Sequence, residues 1–336
     1  MIAASAQPAA AHTPAEVRGH GRDDVRLLIA HRDGGQLLHA GFSELPELLE
    51  PGDLLVINTS ATMPAALPVR GGDGDLRMHL SAPLPGRPAW LVELRRGDER
   101  FEGGAEGDVF LLPGGATAVL LERHTGGRLW LAALHLPATV PHYLARHGQP
   151  IRYGHARQAW PLERYQTVYA NEPGSAEMPS AGRALTPELV TQLVAAGVDV
   201  APLVLHTGVS SLEAGESPHA EWFRIPRFTA ERANLARDLG GRVIAVGTTV
   251  VRSLESAAGE DGRVRAREGW TDLVIAPDTP IRAVDGLLSG FHDSDSSHLE
   301  MLTAIAGASL LERSYEAASA AGYLRHEFGD LHLILP

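Results

Sequence analysis

Short apolar runs alternate along this chain with stretches of helical spacing. Leu54-Leu55-Val56-Ile57, Val243-Ile244-Ala245-Val246 and residues 200–205 read as strands buried on both faces, and residues 331–335 as a last strand. Residues 25–30, 273–275 and 283–288 are further strand candidates, while residues 42–49, 188–196, 230–239 and 299–311 carry helical spacing. Between residues 70 and 136 the pattern changes. Short strands at 76–80, 90–94, 109–112, 117–121 and 129–134 are separated by Gly-rich turns, the mark of a small antiparallel barrel or sandwich. The predicted fold is therefore α/β: an α/β sandwich domain from residues 22–69 and 137–336, carrying an inserted small antiparallel β-barrel over residues 70–136. Residues 1–21, rich in Ala, Pro and His, are expected to be a disordered tail.

Polar groups cluster where the predicted strands end. Asn58 follows one buried run, His206 another, and His292 a third, while His219 and Glu221 alternate so that both side chains share a face. After Val246, Gly247-Thr248-Thr249 forms a tight turn into a helix that contains Arg252. Free amides at such a helix start suit an anionic or polar ligand group.

Composition narrows the chemistry. The 336 residues contain no cysteine and no lysine, which excludes disulfides, thiolate metal sites, Schiff-base catalysis and a Walker phosphate loop. No run approaches the roughly 18 apolar residues of a membrane span, and without a secretory signal pattern the chain is expected in the cytoplasm. Asp293-Ser294-Asp295 opens like a calcium loop but lacks its later Gly and Glu, so no metal is expected.

Several longer stretches add to this. Pro51-Gly52-Asp53-Leu54-Leu55-Val56-Ile57-Asn58, Glu163-Arg164-Tyr165-Gln166-Thr167-Val168-Tyr169-Ala170, His219-Ala220-Glu221, Gly247-Thr248-Thr249 with Arg252, Val284-Asp285, Phe291-His292 and Phe328-Gly329-Asp330 stand in order along the chain. Together they resemble the S-adenosylmethionine:tRNA ribosyltransferase-isomerase family of queuosine biosynthesis. The resemblance implies S-adenosylmethionine as a ribosyl donor and co-substrate. It implies acid–base work for His219, Glu221, His206 and His292, and donor binding for Gly247, Thr248, Thr249, Arg252, Tyr165, Gln166, Asn58 and Asp285.

The chain also departs from the family pattern. Ala61 and Ala66 stand where Arg is usual, Ala184 where His is usual, and Glu216 replaces a histidine; Asp293 and Asp295 enter a loop that has lost its lysine. Each cation lost from a phosphate contact weakens polyanion binding, and the net charge of −12 repels phosphates at long range. On that reasoning a small-molecule acceptor, or reaction of the donor alone, is expected in preference to tRNA. True tRNA modification, or an inactive S-adenosylmethionine sensor, are the alternatives.

Overall fold

A computed structural model describes residues 8–19, 21–70, 75–124, 127–152, 158–209, 219–292 and 297–336. The apolar runs assemble into one nine-stranded sheet. Its strands are β2 (Arg26–His31), β3 (Leu37–Gly41), β4 (Leu54–Asn58), β14 (Asp199–Leu205), β15 (Glu221–Ile225), β16 (Val243–Val246), β17 (Arg267–Thr271), β18 (Gly286–Gly290) and β20 (Leu331–Leu335). Their order is β17-β15-β14-β4-β16-β18-β20-β2-β3. Helices α4 (Arg227–Asp238), α5 (Thr248–Ala257), α6 (Ser297–Ala306) and α7 (Ala308–Ala320) cover one face. Helices α1 (Leu45–Leu48) and α3 (Pro187–Ala195) cover the other. Double coverage explains why the central strands are apolar on both sides.

The topology decides where the polar groups go. Strands β14, β4, β16 and β18 are parallel, so their carboxyl ends share one edge. Strand β15 runs antiparallel to β14, and β20 antiparallel to β18, so both start at that same edge. In α/β sheets that edge is the ligand edge.

The segment between β4 and α2 (Val140–His147) holds the second layer. Strands β6 (Ala66–Pro68), β7 (Leu76–Pro83), β8 (Trp90–Arg96), β9 (Glu99–Arg100), β10 (Val109–Leu111), β11 (Thr117–Arg123) and β12 (Leu129–His135) form one antiparallel sheet, ordered β10-β11-β12-β8-β7-β6 with β9 beside β8. It curls until its edges touch at one bridge, Arg70 to Leu111. The expected barrel is thus a curled sheet whose closure rests on that bridge. Leu76, Met78, Leu80, Val92, Leu94 and Trp130 fill its concave side. On the opposite side Glu93 is fully buried between Arg128 at 2.8 Å and Arg95 at 3.0 Å. Burial alone would raise its carboxyl, but His79, 3.5 Å away, and the Arg charges outweigh that and hold it at about 2.

Four expectations need correction. Residues 273–275 form no strand; β17, which precedes them, does, and its exposed Arg267 and Glu268 hide it from an apolar search. The long helix at 299–311 is two helices, because Gly307 adopts φ 77°, which no right-handed helix tolerates. The strand read at 283–288 lies two to three residues further on, as β18. Residues 8–19 are packed and ordered, not a loose tail. Strand β1 (Ala9–Ala10) pairs with β19 (Leu324–Arg325), Ala15 is fully buried, and Glu16 binds Arg183 at 2.8 Å and 2.9 Å. The last strands, β5 (Ser60–Thr62) and β13 (Glu172–Ser175), pair with each other beside the ligand edge.

One core residue sets an acid limit. His332 on β20 is fully buried, stacks on Phe291 at 5.4 Å, and neither ring nitrogen has a hydrogen-bond partner. Burial pushes its pKa down from 6.5 to about 3. Between those values the unfolded chain binds a proton that the folded one refuses, so stability is full above pH 6.5 and falls as the pH drops toward 3. At pH 5 the loss is about 2 kcal/mol, at roughly 1.4 kcal/mol per unit. His332→Met is expected to remove it, giving urea midpoints that change less between pH 7 and 5 than those of the parent.

Candidate active site at the carboxyl edge

Asn58, the last residue of β4, ties the edge together. Its amide accepts from Leu205 N at 3.0 Å and Ser60 N at 3.1 Å, and donates to Leu205 O at 2.9 Å and Thr249 Oγ1 at 3.3 Å. Next to it β16 ends and Gly247 turns the chain at φ 92° into α5 with no side-chain cap. Only glycine adopts that turn without strain, and the first amides of α5 stay open to a ligand. Gly247, Thr248 and Thr249 thus form the strand-to-helix turn that the sequence suggests.

Two histidines flank this corner. His206 lies just beyond β14, its Nδ1 2.8 Å from Ser60 Oγ, which lies 2.6 Å from Ser175 Oγ; Ser175 Oγ in turn accepts from Thr207 N at 3.1 Å. Its ring stacks on Trp222 at 5.2 Å, and its Nε2 is 3.9 Å from Glu172 Oε1. Glu172 also pairs with Arg224 at 2.5 Å. Burial lowers the His206 pKa, against the pull of Glu172.

His219 lies on the other side, only 8% exposed. Its Nε2 is 3.3 Å from Ser81 Oγ of the curled sheet, and its Nδ1 is buried without a partner. The ring packs on Gly208, where an added methyl would overlap Nε2 and lie 2.6 Å from Ser81 Oγ. Burial, aided by Arg252 and the curled-sheet residues His124 and Arg128, lowers its pKa despite Glu221. Glu221 accepts the Gly208 amide at 2.7 Å and binds Arg252. Arg252 further donates to Leu273 O at 3.0 Å and Thr271 O at 3.2 Å. The Arg252 charge is thus paired with Glu221.

The remaining candidates divide. Tyr165 packs its ring on Phe328 at 5.5 Å, within a cluster that includes Met178 and Ala11. Gln166 exchanges two bonds with the Thr62 backbone, 2.9 Å and 2.7 Å. Both hold the Thr62 end of the loop that presents Asn58 and Ser60. Asp285 lies before β18 at the opposite edge of the sheet, accepting Val243 N at 2.9 Å. Asp53 does the same work there for Arg242, at 2.5 Å and 2.9 Å. His292 follows β18, three strands and roughly 14 Å of sheet from β14, its ring 3.7 Å from that of His298. Sequence reasoning passes over Ser175, Glu172, Trp222 and Ser81. These come from separate segments that the β5–β13 and β14–β15 pairings and the curled sheet bring together. Among the described residues no group of three His, Asp or Glu could hold a metal ion.

Comparison with known proteins bears on the acceptor. A family model described as queuosine biosynthesis protein matches residues 6–334. S-adenosylmethionine:tRNA ribosyltransferase-isomerases from Desulfitobacterium hafniense and Symbiobacterium thermophilum are 36% and 39% identical, each match covering 94% of both chains. The crystal structure of S-adenosylmethionine tRNA ribosyltransferase from Thermotoga maritima has a TM-score of 0.53 at 28% identity, covering 97% of this chain and 96% of that one. The names of these relatives overturn the expectation of a small-molecule acceptor. The physical error was to count Ala61, Ala66 and Ala184 as lost phosphate contacts: they are 9%, 2% and 5% exposed here, so a phosphate backbone would not meet them. Glu216, Asp293 and Asp295 lie outside the described residues, and the inserted segment 70–136 is itself close to charge balance. With a family match over nearly its whole length and relatives this similar, the chain belongs to the queuosine biosynthesis protein family, whose members are enzymes of transferase and isomerase type.

Proposed function

We propose that this enzyme transfers and rearranges the ribosyl part of S-adenosylmethionine onto a tRNA acceptor in queuosine biosynthesis. The observation that carries the reading is the carboxyl edge itself. It combines an open helix start at Gly247-Thr248-Thr249 with a half-buried His206 and a buried His219, both of lowered pKa, and the curled sheet closes one side of it. The sulfonium of the donor acidifies its C5′ hydrogens. Removal of one lets the ribose close into a carbocycle while adenine and methionine leave, and the product is carried by the aminomethyl group of a modified deazaguanine. Such chemistry needs neutral imidazoles and little water.

In this reading the amides of α5 and the Thr248 and Thr249 hydroxyls hold polar groups of the donor. His206 with Glu172 handles protons on one side, and His219, Glu221 and Arg252 form the opposite wall. The test is to incubate the purified protein with S-adenosylmethionine, with and without tRNA lacking queuosine, and to follow adenine and methionine. Release is expected only with that tRNA. Equal release without tRNA would contradict the acceptor, and tight donor binding with no release under any condition would identify a sensor.

A further inference from the structure

We infer that Ser81 of the curled sheet is a positioning residue that fixes His219 in the tautomer protonated at Nδ1, so that the imidazole faces the donor as a hydrogen-bond donor and not as a base. The inference rests on the reading of the site above. It follows from counting protons and lone pairs. A serine hydroxyl has one proton and two acceptor sites. Val209 N–H donates to Ser81 Oγ at 2.9 Å, which occupies one acceptor site. His219 Nε2, at 3.3 Å, is the other partner of Ser81 among the described residues.

Two arrangements are open. With the proton on Nε2, the ring donates to Ser81. The Ser81 hydroxyl hydrogen and the Nδ1 lone pair are then both buried without partners. With the proton on Nδ1, the Ser81 hydroxyl donates to Nε2, and only the Nδ1–H is left over. Unpaired buried polar groups are costly, so the arrangement with one is preferred to that with two. Turning the ring over would set a carbon against Ser81 and lose the bond altogether. The leftover Nδ1–H is the buried, unpartnered atom of a side chain more than nine-tenths buried. A donor at that position is what an acceptor atom of the ribose or adenine would complete. The curled sheet then does more than cover the site, since one of its hydroxyls determines what His219 offers.

The experiment is nitrogen-15 NMR of histidine-labelled enzyme without substrate, the His219 signals being those lost in His219→Ala. Wild type is expected to show His219 with a protonated Nδ1 and an unprotonated Nε2. Ser81→Ala is expected to lose that bias and to slow single-turnover adenine release roughly tenfold, the scale of one hydrogen bond. Ser81→Thr should restore both readouts. A protonated Nε2 in wild type, or an unchanged tautomer in Ser81→Ala, would overturn the inference. Because the NMR reading needs no turnover, it stands or falls apart from the identity of the acceptor.

Discussion

Replacing His219 with alanine is expected to slow single-turnover adenine release by about 10²–10³-fold, the range seen when one preorganised donor is removed from a reacting centre. Donor binding should weaken but persist, because the open amides of α5 and the Asn58 corner are untouched. Stability should also hold, since the ring makes a single 3.3 Å bond and buries one unsatisfied nitrogen. The companion His219→Asn separates two roles. Its amide can present an N–H near the place of Nδ1 but cannot take up a proton at neutral pH. If His219 acts as a hydrogen-bond donor, His219→Asn retains more activity than His219→Ala. If it were the base, the two would be equally impaired.

The second large effect is on folding. Glu221→Ala leaves the Arg252 guanidinium and the Gly208 amide without their carboxylate at a site where Glu221 is 6% exposed. Breaking a buried ion pair from one side costs about 3–5 kcal/mol, which urea unfolding would read directly. Part of that loss comes from the stranded charge, not from the missing bond. The double variant Glu221→Ala with Arg252→Met is therefore expected to be more stable than Glu221→Ala alone. A double variant whose loss equals the sum of the two single losses would show that the residues do not act as a pair. Activity should be low in all three, because the Gly208 turn under His219 depends on the same carboxylate.

Much of this molecule can be read from its residues, and the limits have physical causes. The buried runs at Leu54, Val243 and Leu331 declare themselves because strands covered on both faces have no polar side. Strand β17 does not, because it is an edge strand with Arg267 and Glu268 exposed. The Gly247 turn, Asn58, His206, His219 and Glu221 were recognisable because strand ends in such folds carry polar groups to one edge. Tyr165, Gln166 and Asp285 stand in the same resemblance as Thr248 yet brace loops or the far edge, since a motif records what a fold needs as well as what a reaction needs. The Ser60–Ser175–His206 chain and the Ser81–His219 contact were out of reach: each joins residues more than a hundred positions apart. The acceptor was misjudged for a related reason. Counting cations along the chain ignores burial, and the alanines in question are inside the protein.

The claim that joins these observations is that the carboxyl edge deprotonates C5′ of S-adenosylmethionine and passes the rearranged ribosyl unit to tRNA. Mass spectrometry of nucleosides, after reaction of queuosine-deficient tRNA with donor carrying two deuterons at C5′, tests it most directly. A modified nucleoside that has gained the ribosyl-derived unit and kept one of the two deuterons is the expected result. A nucleoside that keeps both deuterons, or tRNA left unmodified while adenine is released, would contradict the account.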